Sequence, residues 1–208
     1  TTAITFPFPV SFYGQTYTGA SVSSNGILQF VEANADYTNQ CLPVEGFGPT
    51  IFAHWDDLRT DTPESGVFTN VSGTAPFRVF DIEWRATYYN GAGAVGFALR
   101  FFEGLDYIKL YFIESPQGGS GATLGMQAGD ERYRQYWCNQ VNAANAGTLY
   151  TFALPPMIVT SSGDYVPPCT DDIGNHCDDC TTAITFPFPV RFYGQTYTGA
   201  SVSSNGIL

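Results

Sequence analysis

Apolar and polar positions alternate along most of this chain at a period of two, and almost nowhere at the helical period. Ala3–Val10 alternates around Ile4, Phe6 and Phe8, while Pro7 and Pro9, lacking an N–H, belong at an edge or at the start of a strand. Ser11–Tyr17 is expected to turn at Gly14-Gln15. Ala20–Ser24 runs into Asn25-Gly26, a pair that tolerates positive φ and predicts a hairpin into Ile27–Val31. Further strands are predicted over Thr50–Trp55, Gly66–Val71, Phe77–Tyr88, Gly93–Glu103, Tyr107–Ser115, Thr123–Ala128 and Thr148–Leu154, with glycine or proline in nearly every gap. The longest helical candidate, Asp130 to Ala146, is polar and bounded by Gly129 and Gly147, which leaves room for a turn or two. Some ten short strands at about 8–12-residue spacing predict an all-β chain, built as an antiparallel β-sandwich.

The alternation restarts near the C-terminal end. Residues 1–28 and 181–208 are the same run, TTAITFPFPV(S/R)FYGQTYTGASVSSNGIL, differing only at Ser11 and Arg191. Recurrence after 180 residues predicts a tandem array of modules, and the one difference fits natural repeats that have drifted. The second run reaches Leu208, whereas the first continues through Gln29-Phe30 in mid-alternation, so the 208 residues are expected to be a window on a longer chain. Between the runs lies a tract without apolar period: Pro155-Pro156, Ser161-Ser162-Gly163, Pro167-Pro168 and CTDDIGNHCDDC. The expected organisation is a sandwich module at 1–154, a Pro/Ser/Cys/Asp-rich connector at 155–180, and the first strands of a next repeat at 181–208.

Composition narrows the function. Eight Lys+Arg stand against 19 Asp+Glu for a net charge of −11, which leaves no basic surface for a phosphate backbone and excludes nucleic acid as a partner. No apolar run reaches membrane-spanning length, and no leader-like segment precedes Thr1. Apolar residues at 44% and aromatics at 16% supply a sizeable core. Five cysteines in an acidic, β-rich chain point to an oxidising, extracellular compartment. Cys41 and Cys138 lie inside the module and are expected to pair. Cys169, Cys177 and Cys180 lie in the connector, where Cys169 has Cys177 or Cys180 as partner and the remaining thiol could bridge to a neighbour or stay free.

Order and residue type together resemble the nidogen-like extracellular domain and its relatives in repetitive bacterial surface proteins. The matching residues are Phe8-Pro9-Val10 with Phe12-Tyr13-Gly14, Val22-Ser23-Ser24-Asn25-Gly26, Ile51–Leu58 (IFAHWDDL), Gly66-Val67-Phe68, Phe80–Trp84, Phe97–Phe102 and Leu124–Asp130, spanning residues 6–152. The resemblance implies an extracellular β-sandwich used for adhesion or matrix architecture, with no chemistry of its own. Asp171–Cys180 is similar to the tail of a thrombospondin type-3 calcium repeat, although Tyr165–Thr170 stands where that family has alternating aspartates.

Candidate chemistry is sparse. Asp171, Asp172, Asn175, Asp178 and Asp179 offer hard oxygen ligands for calcium, which would stiffen the connector by neutralising carboxylates; the alternative is a solvated acidic linker. Cys169, His176, Cys177 and Cys180 form a set that zinc could use, with adjacent His176-Cys177 ligation awkward. His54-Trp55-Asp56-Asp57 is the most enzyme-like cluster, and Glu83, Glu103, Asp106 and Glu114 could supply a glycosidase-like carboxylate pair. With two histidines in the chain and no nucleophile or phosphate-loop motif, no enzyme is expected. Asn70-Val71-Ser72 is an N-glycosylation triplet. Tyr88, Tyr89, Tyr133, Tyr136 and Trp137 could form a carbohydrate platform or pack as ordinary core.

The repeat itself carries the main functional expectation. Either copy of the run can complete a sandwich made from residues 29–154, so Thr185, Phe186, Phe188, Val190, Phe192, Tyr193 and Val202 are expected to form inter-repeat strands. Head-to-tail contact of modules would give an extracellular filament or adhesin stalk whose partners are copies of itself. A carbohydrate- or protein-binding adhesion module is the alternative, and a glycosidase the third reading.

Overall fold

In the computed structural model, residues 1–129, 131–153, 175–192 and 195–205 are described. Among them there is no helix, and so none long and apolar enough to cross a membrane. Two compact units divide the chain, Thr1–Met157 and Ile158–Leu208.

The first unit is the expected antiparallel sandwich. One sheet runs β1 (Thr2–Phe12), β2 (Gln15–Ser23), β3 (Ile27–Gln29), β4 (Thr50–Trp55), then β10 (Thr123–Gln127) and β11 (Tyr133–Cys138). The other runs β12 (Leu149–Ala153), β9 (Tyr107–Glu114), β8 (Ala94–Phe102), β7 (Val79–Tyr88) and β5 (Leu58–Arg59), with β6 (Gly66–Ser72) also paired to β7. Alternation fills the space between them. Phe80, Ile82, Trp84, Ala86 and Tyr88 of β7 face Phe6, Phe8, Val10 and Phe12 of β1 and their neighbours in one continuous core. Trp84 also donates its indole N–H to the Ser23 carbonyl at 2.8 Å, tying the two sheets together.

β4 departs from alternation because both of its faces are covered. Ile51 and Ala53 belong to the main core, while Phe52 and Trp55 pack with Ile27, Leu42, Val44 and Phe47 in a second cluster. The loop over 34–48 forms that cover, and buried amides hold it. Gln127 Nε2 donates to the Val44 and Phe47 carbonyls at 2.9 and 2.7 Å, and its Oε1 accepts from Val44 N–H. Gln29 makes the same kind of two-way bond with the backbone of Asn34.

Three local expectations are corrected. The polar tract 130–146 contains the strand β11 in place of a helical turn, because Thr123–Gln127 offers it a ladder partner that outweighs its weak pattern. Phe77 lies exposed ahead of β7, which begins at Val79. The first hairpin turns at Tyr13-Gly14, one residue earlier than expected. Phe12 pairs with Gln15, and both turn residues take positive φ, 47° and 78°, as a two-residue primed turn demands.

The second unit's described strands are β13 (Thr181–Phe192) and β14 (Gln195–Ser203), a lone antiparallel hairpin.

Candidate functional site

The feature that sets this chain apart is one hairpin built twice. In β1–β2 the register runs Thr2↔Val22 to Thr5↔Gly19, breaks, and resumes at Val10↔Tyr17. In β13–β14 it runs through Thr182↔Val202 and Thr185↔Gly199, breaks, and resumes at Val190↔Tyr197. The break falls on the Phe-Pro-Phe-Pro stretch in each, where the prolines have no N–H to give a ladder. A Cβ at Gly19 would stand 2.7 Å from the Ile4 carbonyl oxygen, and one at Gly199 would stand 2.5 Å from that of Ile184, so both hairpins depend on the same bare glycine.

Their surroundings differ. Phe6 lies within 6.0 Å, centroid to centroid, of Phe30, Phe80 and Phe101, and Phe12 stacks on Phe30 at 4.5 Å. The Arg78 guanidinium caps the Phe8 ring at 5.6 Å, itself held by Glu103 through bonds at 2.8 and 2.6 Å. Phe30, Arg78, Phe80 and Phe101 thus form a socket for the hairpin's apolar face. Phe8 is 3% exposed and Phe12 0%, whereas Phe188 is 67% exposed and Phe192 63%. Phe186, Val190 and Val202 are half-buried, Thr185 is exposed, and Tyr193 lies outside the described residues. Ser11 and Arg191, the one difference, are both exposed, so the apolar faces are identical.

The first hairpin is clipped to the body by the β2–β3 turn. Buried Asn25 accepts the Leu58 N–H and donates to the Ala35 and Asp36 carbonyls, while the Gly26 carbonyl accepts from Ala53 and His54 N–H. In the second hairpin Asn205 is exposed and donates to Asp179 Oδ1 at 2.7 Å.

The enzyme-like cluster is divided: His54 and Trp55 are buried, Asp56 and Asp57 half-buried. His54 packs among Tyr88, Phe97, Phe112 and Trp137; its Nε2 lies 3.0 Å from the Tyr88 hydroxyl, which lies 3.1 Å from Ser115 Oγ. Burial drives its pKa down to about 3, so the ring is neutral. Burial also raises Asp56 to about 6, with the Asp57 N–H opposing that shift. Of the four candidate carboxylates, Glu83 and Glu103 each bind an arginine side chain, and Arg78 holds Glu103 down at about 2. That anchors Glu103 as an anion, the wrong state for a general acid.

Cysteine placement revises part of the reading. Cys41 and Cys138 are joined, with Cα atoms 5.4 Å apart, which fastens the 34–48 loop to β11. Cys177 bonds to Cys180, so neither is the partner of Cys169, and the zinc set loses two thiolates. Cys169, Asp171 and Asp172 lie outside the described residues. Asn175 donates to the Val202 carbonyl, and Asp179 accepts from Asn205, so both make contacts with the hairpin; Asp178 and His176 are exposed. Among the described residues no three His, Cys, Asp or Glu side chains converge as a metal site.

The aromatic platform divides in the same way. Tyr88 and Trp137 are core residues, Tyr136 packs on Phe152 at 4.5 Å, and only Tyr89 and Tyr133 are exposed. Asn70 is exposed on β6, opposite Asp81. An open groove of about 500 Å³ on that face is lined by Phe68, Asn70, Asp81, Arg85, Arg100 and Tyr111, but its guanidinium groups are spent on Glu83 and Asp81 and lie over Phe68 and Tyr111.

No curated protein and no solved structure matches the chain. A family model does, over residues 1–154, and its description is NIDO related. With its disulfides, such a domain accords with an extracellular module of structural or adhesive type. The chain belongs to the NIDO-related family.

Proposed function

We propose that this protein is a repeat unit of an extracellular structural filament or adhesin stalk, in which β-sandwich modules follow one another head to tail. One observation carries the reading: the same run, folded as the same hairpin with the same strand register, occurs twice, 180 residues apart. A lone hairpin with exposed phenylalanines is marginal in water, so its sequence makes sense as part of a second module. Modules joined through one repeated contact that does not close by rotation build an open fibre. Calcium on the connector aspartates and a glycan at exposed Asn70 belong to this reading as modifications of such a fibre.

Electron microscopy of the native material tests it. The reading predicts unbranched filaments with an axial repeat of about one sandwich length, a few tens of ångströms for strands of this size. Dispersed single particles under native conditions would refute it.

A further inference from the structure

We propose that a groove at one end of the sandwich binds neutral saccharide, with Tyr37 and Tyr89 stacking on pyranose rings and the Asp57 carboxylate accepting their hydroxyls. The groove lies wholly within the first module, so its ligand is independent of how modules follow one another.

Four stretches of chain meet around an open groove of about 490 Å³. Ser24 comes from the β2–β3 turn, Tyr37 from the 34–48 loop, Asp57, Arg59 and Asp61 from β5 and its flanks, and Tyr89 from the β7–β8 turn. Their backbones are braced from beneath. The Asp36 carbonyl, next to Tyr37, accepts the indole N–H of buried Trp55 at 2.9 Å, and Asp36 Oδ1 accepts the Thr38 N–H on the other side. The Asp57 carbonyl accepts the Tyr89 N–H at 3.0 Å, and Asn25 holds the Leu58 N–H. On these held segments the two tyrosines are 60% and 65% exposed. A tyrosine ring kept in water on a rigid loop presents a large apolar face at small entropic cost, which suits the C–H face of a pyranose.

Polar groups decide the class of ligand. Arg59 is spent on Asp61 through bonds at 2.9 and 3.0 Å, so that pair adds no net charge. Among the described residues no donor reaches the Asp57 carboxylate, and partial burial raises its pKa. A carboxylate with free lone pairs takes hydroxyl donors. The Arg59 guanidinium, 5.9 Å from the Tyr89 ring centroid, disfavours a cation, and Asp57 disfavours an anion, which leaves a neutral polyhydroxylated ligand. The groove beside β6 differs on both counts: Asp81 and Glu83 are paired to arginines, and Arg85 covers the Phe68 ring at 4.3 Å.

Titration of the full-length, nitrogen-15-labelled chain with neutral oligosaccharides tests this. The probes are cellotetraose, maltotetraose, mannotetraose and chitotetraose, each raised to about 10 mM, where even a millimolar site is mostly filled. At least one should shift the amide resonances of Tyr37, Asp57 and Tyr89 and saturate. Tyr37→Ala and Tyr89→Ala change exposed rings and should keep the fold while each weakens binding about tenfold. Asp57→Asn, of the same shape, should weaken it by a similar factor, about tenfold. Tyr133→Ala, an exposed tyrosine outside the groove, should change nothing. No saturable shift with any of the four sugars would overturn the proposal, as would shifts that map elsewhere or full affinity in both groove-tyrosine variants. Saturable binding of tetralysine at these resonances, with none of the sugars, would assign the groove to basic peptide and overturn it too. Filaments in native material alongside failed sugar binding would leave the repeat-unit reading standing and remove only this ligand.

Discussion

The backbone N–H of Leu58 donates to the side-chain oxygen of Asn25 at 3.1 Å, across 33 residues of sequence. This bond, with those from Asn25 Nδ2, fixes the turn that delivers β2 into β3. Asn25→Ala strands a buried N–H and should cost about 1–3 kcal/mol in urea unfolding. Asn205→Ala, at the matching but exposed site, should stay within about 0.5 kcal/mol. Equal effects would mean that the turn is not the clip described.

Gly26 and Gly91 share positive φ, 74° and 79°, but not their space. A Cβ at Gly26 would stand 2.2 Å from the His54 carbonyl oxygen, while one at Gly91 meets nothing within 4 Å. Gly91→Ala should therefore cost only the left-handed backbone penalty, about 1–2 kcal/mol. Gly26→Ala should cost clearly more, read as a larger drop in melting temperature on the same protein background.

Cys41 and Cys138 close a loop of 97 residues. Replacing both by serine should lower stability by about 2–5 kcal/mol. Because the bond tethers the 34–48 loop, hydrogen exchange should accelerate first at the amides of Leu42 and Val44, which Gln135 and Gln127 otherwise hold. Uniform acceleration across both sheets would contradict a local tether.

Acid dependence separates two buried groups. Between pH 6.5 and about 3 the unfolded chain carries a proton on His54 that the native ring lacks, so stability falls as pH drops through that window. Asp56 acts in the opposite sense: between about 6 and 3.8 the native carboxyl keeps a proton that the unfolded chain releases, so its contribution rises as pH drops. The two offset one another over the shared range. Asp56→Asn removes the offset, and stability measured from pH 6 down to 3.8 should fall more steeply in the variant than in wild type. Parallel curves would contradict the assignment.

Much of this was legible in the residues because a sandwich core is written at a period of two. Phe80 to Tyr88 and Val95 to Phe101 show their inward faces directly, and repetition of residues 1–28 marks the second hairpin without any structure. β11 was not legible, since Tyr133–Cys138 is half exposed and becomes a strand through its pairing with β10. The roles of Gln29 and Gln127 were equally hidden: a buried amide that pins a loop has no periodicity, and the partners of Gln127 lie 83 residues away for Val44 and 80 for Phe47. The burial of His54, Tyr88 and Trp137 was hidden too: sequence puts His54 and Tyr88 on strands and Trp137 in a polar tract, but does not say which face a covering loop or second sheet will seal.

Hydrogen exchange on the native assembly, read separately for 1–23 and 181–203, tests the central claim most directly. The two segments differ in mass at Ser11 and Arg191, so peptides spanning those sites are distinguishable. If the second hairpin, like the first, is sealed in a module of a repeat array, the peptide around Phe188 should be protected as strongly as the one around Phe8. Fast exchange around Phe188, with Phe8 protected, would mean that its face stays open to water and that the repeated hairpin joins nothing.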